Sequence, residues 1–161
     1  MLRACGSRLA DTERMRPELE QRALEGHDDR LRAALSGAGL PVDDLTEAGR
    51  SFYRFSQDGE TVGFGGLELY GAAALLRSIV VLSDRRGFGF GQVIALALLD
   101  QAHRKGAGTA YLLTETAAPF FASLGFRPIA RAEAPAQILA TRQAASLCPA
   151  SAALMMRSLP A

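Results

Sequence analysis

The chain reads as one α/β domain, built on a mixed, mainly antiparallel sheet with helices on both faces. Three observations carry that reading. Residues 51–82 hold strand-like segments joined by tight turns, Asp58-Gly59 being a strong hairpin signal. A glycine-rich loop, Arg85-Arg86-Gly87-Phe88-Gly89-Phe90-Gly91, then joins a short β-branched stretch to an apolar helix-like one. Beyond that helix, residues 110–114 are short and apolar, fit for a central buried strand reached by a right-handed crossover. A length of 161 residues suits one domain that buries about two-thirds of its unfolded surface.

Taken in order, residues 1–17 have no periodic pattern and read as a loose tail, with the domain expected over 18–161. Residues 19–24 read as a short, charged first strand. Asp28 is placed to cap a helix running to Ser36, with Leu31, Ala34 and Leu35 on one side and Gly37 or Gly39 ending it. Residues 51–56 alternate Phe52 and Arg54 against Tyr53 and Phe55, a strand pattern, and residues 61–69 return from the hairpin. Residues 72–82 make a third meander strand. Gln92 to Lys105 is one helix, apolar almost all round in its first turns and therefore buried, with Gly106 ending it. A short helix over 119–124, a strand over 127–131, a helix over 135–144 and a strand over 152–159 complete the sheet.

Composition narrows the function. Lys+Arg 18 against Asp+Glu 17 leaves no electrostatic footprint for nucleic acid or acidic lipid. Lys105 is the only lysine, a bias read first as codon usage and second as a preference for bidentate anion contacts. No apolar run has the length of a membrane helix, and the N-terminus lacks a signal-peptide core, so a cytoplasmic protein is expected. Cys5 and Cys148 lie too far apart to suggest a disulfide scaffold. His27 and His103 offer no metal-ligand spacing, and no metal is expected.

The loop carries most of the chemistry. Glycines let successive N–H groups point inward, a helix N-terminus adds partial positive charge, and Arg85 and Arg86 add full charges. That is a pyrophosphate socket. A P-loop needs Lys-Ser/Thr after its last glycine, but Gln92-Val93 follows Gly91. A dinucleotide fingerprint fails too, because its third glycine position falls on Gln92 or Ile94. The pattern that fits is R-x-x-G-x-G at Arg86, Gly89 and Gly91. A plain glycine turn is the alternative that this segment alone leaves open.

That pattern between a strand and a helix resembles the acyl-CoA loop of the GCN5-related N-acetyltransferase (GNAT) superfamily. Gly66-Leu67-Glu68-Leu69-Tyr70-Gly71 and Leu75-Leu76-Arg77-Ser78-Ile79-Val80-Val81 resemble that fold's third and fourth strands. Tyr111-Leu112-Leu113-Thr114 resembles its fifth, and Phe120-Phe121-Ala122-Ser123-Leu124-Gly125-Phe126 the helix and turn that follow. The stretch from Pro135 through Thr141-Arg142-Gln143 to Ala152 is similar to a subgroup linked to arsenic-resistance operons. The resemblance covers residues 19–159.

It implies acetyl-CoA as co-substrate and direct N-acetylation of a small amine, amino-acid-like or arsenic-containing, in a ternary complex; a homodimer is compatible with it. The backbone N–H groups of Ile79, Val80 and Val81 would meet the pantetheine and the thioester oxygen. Arg85, Arg86, Gly87, Phe88, Gly89, Phe90, Gly91 and Gln92 would hold the phosphates, with Phe121 beside the cofactor. Glu68 and Glu115 are the candidate bases. Arg77, a charge inside an apolar strand, either faces solvent or meets an anion of the substrate. One departure stands out: the family's acid is a tyrosine where this chain has Phe121, and Tyr111, Ser123 and Cys148 are the positional substitutes. That departure keeps open a non-catalytic acyl-CoA-binding module.

Overall fold

The computed structural model describes residues 17–159. Of the tail expected over 1–17, all but Pro17 lies outside the described residues. Strand β1 (Glu20–Leu24) leads into helix α1 (Asp29–Gly37) and a meander of β2 (Arg50–Gln57), β3 (Glu60–Tyr70) and β4 (Ala73–Val81). Helix α2 (Phe90–Arg104), strand β5 (Thr109–Thr114) and helix α3 (Ala118–Ser123) follow. Strand β6 (Arg127–Ile129), helix α4 (Ala136–Leu139) and strand β7 (Ala153–Ser158) close the chain. The sheet order is β1-β2-β3-β4-β5-β7-β6, and only β4–β5 is parallel. The mixed, mainly antiparallel sheet read from the sequence is the sheet observed.

Local chemistry explains the boundaries. Asp28 caps α1, its carboxylate accepting from the N–H of Arg30 at 3.0 Å and of Leu31 at 3.1 Å. Asp58 and Gly59 both take positive φ, 52° and 80°, the conformation that a two-residue hairpin turn asks for. Strand alternation then sorts the apolar residues. Tyr53 and Phe55 pack with Ile94 and Leu98 of α2 on one face. Phe52 and Phe64 pack with Leu31 and Leu35 of α1 on the other, where Ile138 of α4 also joins Leu75 and Leu154. Full burial of a side chain such as Leu98 stabilises by ~1.5–3 kcal/mol. Helix α2 approaches closely because β3 offers Gly65, where a Cβ would stand 2.8 Å from Leu98 Cδ1.

Three boundaries differ from expectation by two residues or more. The helix expected over 135–144 stops at Leu139, because the Thr141 hydroxyl takes the Ile138 carbonyl at 2.7 Å and receives the Ala144 N–H at 3.2 Å. Such side-chain bonds compete with the helical ladder. A π-helical turn over Gln143–Leu147 follows. Helix α2 starts at Phe90 rather than Gln92, since left-handed Gly89 already serves as its cap. Strand β6 ends at Ile129, two residues short of Arg131. Among the described residues, no helix is long and apolar enough to cross a membrane.

Candidate active site

Strands β4 and β5 pair only over Ala73–Thr109, Ala74–Ala110 and Leu75–Tyr111, and then part. The cause lies on the other side of β4. Gly66 pairs with Arg77 and Phe64 with Val80, so Gly65 faces two residues, Ser78 and Ile79. This is a β-bulge, and Ser78 takes φ +58° within it. Bulges bend a strand and sharpen its twist. The parting opens a cleft of about 590 Å³ between residues 76–81 and 112–117, with residues 38–41 on one rim and Gln143, Leu147 and Cys148 on another.

The backbone of β4 faces this cleft. Leu82 donates its N–H to Val62 on β3 at 2.9 Å, so the alternation of a strand turns the Val81 amide the other way, into the gap. The Val81 carbonyl is turned there too and accepts from Arg86 Nε at 3.2 Å. By the same alternation Val80 turns its amide to β3, unlike the role expected of it. Ile79 sits in the bulge, outside the β3 register.

A second hollow of about 470 Å³ adjoins the cleft, sharing Val81, Arg86, Gly91 and Phe120. A 3₁₀ turn over Ser83–Arg85 leads into it, Gly87 and Gly89 take φ +86° and +81°, and α2 begins at Phe90. A Cβ built at Gly87 or Gly89 would meet nothing within 4 Å, so these glycines border open space. Arg85, Arg86, Phe90, Gly91, Gln92, Ser123 and Leu124 complete its lining. Phe88 does not: its ring is 66% exposed and leans on Phe90 at 6.1 Å. Open glycine backbone, two guanidinium groups and the N-terminus of a 15-residue helix suit a pyrophosphate. The cleft beyond suits a narrow arm reaching toward Val81.

The candidate acids part company. Glu68 is fully buried, accepts from the Tyr70 hydroxyl and from Arg77 Nη1 at 3.0 Å, and does not line the cleft. As a base it has no open path to an amine in the cleft. Arg77 is likewise occupied: Asp44 accepts from its Nη1 at 2.5 Å and its Nη2 at 2.6 Å, and its guanidinium lies 5.5 Å from the Phe52 ring centroid. The fork expected to meet a substrate anion is spent on two internal carboxylates. Glu115, by contrast, is exposed just past β5 and is the only carboxylate among the described cleft-lining residues.

Asp44 was not singled out from sequence. Its signal is indirect: a buried arginine requires a carboxylate, and the 38–49 loop is acidic. Burial pushes the Asp44 carboxyl up, but hydrogen bonds and charge from Arg77, then Arg50, outweigh it and hold it below the usual carboxylate value. Burial opposes the charge on Arg77, while Asp44 and Glu68 together raise its pKa. Burial and the bond to Glu68 push the Tyr70 hydroxyl up to about 12.

Phe121 lines the cleft with no proton to give, its ring edge-on to Phe120 at 5.0 Å and Phe126 at 5.8 Å. Of its positional substitutes, Tyr111 packs under α4 and Ser123 donates to the Phe120 carbonyl at 2.5 Å beside the second hollow. Only Cys148 reaches the cleft. Its thiol donates to Gln143 Oε1 at 3.3 Å, and burial pushes its pKa up. No metal-binding cluster occurs among the described residues.

A family model described as an acetyltransferase (GNAT) domain matches residues 48–128, half of the chain. Among solved structures, N-acetylglutamate synthase from Neisseria gonorrhoeae, complexed with coenzyme A and L-arginine, is similar at TM-score 0.72 and 17% identity. The match covers 90% of this chain and 34% of that one, so the chain spans about a third of that relative's length. Rv2747 from Mycobacterium tuberculosis, in complex with CoA and NLQ, matches at TM-score 0.71 and 18% identity, over 89% of this chain and 100% of the other. A putative acyl-CoA N-acyltransferase from Klebsiella pneumoniae gives 0.68 and 19%, over 88% and 98%. No curated protein sequence matches. At these identities the structural likeness shows the fold.

Proposed function

The chain belongs to the acetyltransferase (GNAT) family, and from that premise we propose that it transfers an acetyl group from acetyl-CoA to a small amine by direct attack. The observation that carries this reading is the parting of β4 from β5 beside a glycine cradle that holds Arg85 and Arg86. Acetyl-CoA supplies the activated acyl group as a thioester. Gly87, Gly89, Gly91 and Gln92 would hold its phosphates with the two arginines, and Phe120 and Phe121 would flank its arm.

In this reading the Val81 N–H, aimed into the cleft, donates to the acyl oxygen as charge develops there. A placed donor of this kind contributes ~2.7–4 kcal/mol in comparable sites. The amine nitrogen forms the new C–N bond, and its proton passes through water to Glu115. The C–S bond breaks, and a thiol with pKa near ~8.5 leaves as its anion without an acid. Phe121 is tolerable for that reason.

For the acceptor we propose an amino-acid-like amine, an arsenic-containing or phosphinic amino acid among the candidates. Two things support this: the similarity of the 135–152 stretch to the arsenic-operon subgroup, and structural neighbours that include an N-acetylglutamate synthase. The reaction belongs in the cytoplasm. Glu115→Gln tests the mechanism. kcat should fall ~10²-fold or more, with CoA affinity unchanged; an undiminished kcat removes Glu115 from the chemistry. A binding module without catalysis is the second reading, favoured by Phe121 and by the burial of Glu68.

A further inference from the structure

The buried ion cluster behind the cleft has no part in holding acetyl-CoA, yet it touches both walls of the acceptor end. Asp44 belongs to the 38–49 loop, whose first residues form one rim. Its side chain is fully buried and receives four N–H groups: two from Arg77, then Arg50 Nε at 3.2 Å and Nη2 at 3.1 Å. Glu47 of the same loop meets Arg142, which opens the turn carrying Gln143 and Cys148 on the other rim. Arg77 reaches further. Its Nε donates to Ser78 Oγ at 3.2 Å, and Ser78 is the left-handed residue of the bulge that leaves Ile79 outside the β3 register just before Val81.

We infer that Arg77 is a positioning residue that couples the acceptor loop to the acyl-polarising bulge. This deepens the acetyl-transfer reading and rests on it. One planar fork grips Asp44 through two nitrogens and Ser78 through the third, so loop and bulge share one rigid joint. A left-handed serine is strained, and strain of this kind persists only where surrounding contacts over-determine it. A buried ion pair is often no more stabilising than an apolar replacement. The geometry accounts for this pair by placement: it sets the acceptor wall relative to the amide that meets the acyl oxygen.

A double-mutant cycle on Asp44→Asn and Ser78→Gly tests the coupling. Glycine accepts the positive φ and removes the hydroxymethyl group, and with it the hydroxyl that meets Arg77. Each single variant should lower kcat at least fivefold with the CoA dissociation constant within twofold of wild type. Asp44→Asn should also raise KM for the amine. The double variant should be no slower than the slower single, because both cut one path; losses that multiply would overturn the coupling. A purely structural role would lower Tm and the CoA-binding fraction while leaving kcat per CoA-binding site and KM untouched.

The amide resonances of Ile79 and Val81 give a readout independent of turnover. They should move in both singles and stay in place in Asp100→Asn, a control at an exposed pair with Arg104. If the wild type acetylates no amine, the acetyl-transfer reading falls, and these resonances alone decide the coupling. Unmoved resonances overturn it. Should Asp44→Asn fail to fold, Ser78→Gly decides: lowered kcat with moved amides supports the joint, and wild-type values for both refute it.

Discussion

Gly89→Val separates the loop's role in the fold from its role in binding, provided that it is compared with Gly59→Val. The two glycines are matched: φ is +81° at Gly89 and +80° at Gly59, and a Cβ at either meets nothing within 4 Å. A left-handed L-residue costs ~1–2 kcal/mol, with a β-branched one at the upper end. In a chain of this size that lowers Tm by roughly 2–8 °C for either variant. The difference lies in what the open space is for. At Gly59 it is solvent at a hairpin tip, whereas at Gly89 it is the hollow shared with Arg85 and Arg86. Valine there fills the space a phosphate must enter and disturbs the N-terminus of α2. CoA affinity measured by calorimetry should therefore fall at least tenfold in Gly89→Val, ~1.4 kcal/mol, and stay unchanged in Gly59→Val. Equal affinities for the two variants would refute the assignment of this loop to the phosphates.

Three further outcomes follow from the same geometry. Tyr70, pushed up to about 12, should ionise well above the usual tyrosine value in an alkaline ultraviolet titration. Its contribution to stability is whole below the unfolded value near ~10 and is lost as pH rises toward the folded one. Amplitude lost at ~10 rather than at about 12 in Tyr70→Phe would contradict the bond to Glu68. Asp44 has the opposite sign: its folded pKa is depressed, so its contribution is whole above ~3.9 and lost as pH falls through the folded value. Asp44→Ala should cost ~3–5 kcal/mol near neutrality by denaturant unfolding, a gap that narrows in acid; a gap constant with pH would count against the pair. Finally, the wild-type rate should show no falling alkaline limb up to about pH 9, and Phe121→Tyr should raise kcat or leave it unchanged. A limb that vanishes in Cys148→Ala would instead identify that thiol as the acid.

Local signals were legible in the sequence wherever neighbours in the chain decide the outcome. Asp58-Gly59 made the turn that its dihedrals require, Asp28 capped its helix, and Arg86 and Gly89 fell on the loop between strand and helix, with Gly91 in the first turn of that helix. What resisted reading depends on partners far along the chain. Arg77 was read as facing solvent or meeting a substrate anion, whereas it is buried on internal carboxylates, and its partner Asp44 lies 33 positions away in a loop without periodicity. Glu68 sits in a strand whose alternation gives no hint that Arg77 and Tyr70 enclose it. The positive φ of Ser78 was equally hidden, since serine carries none of glycine's licence for that region. Thr141 broke a helix because its hydroxyl found the Ile138 carbonyl, a competition that side-chain type permits but does not dictate.

Whether the parted strands are a site of acetyl transfer is decided most directly by counting products. Purified protein with acetyl-CoA and a panel of amines, amino acids included, should release CoA thiol only when an accepted amine is present. Mass spectrometry should find one N-acetylated amine for each thiol released, and no acetylated protein. Tight acetyl-CoA binding with no amine-dependent release across the panel would contradict catalysis and leave an acyl-CoA-binding module in its place.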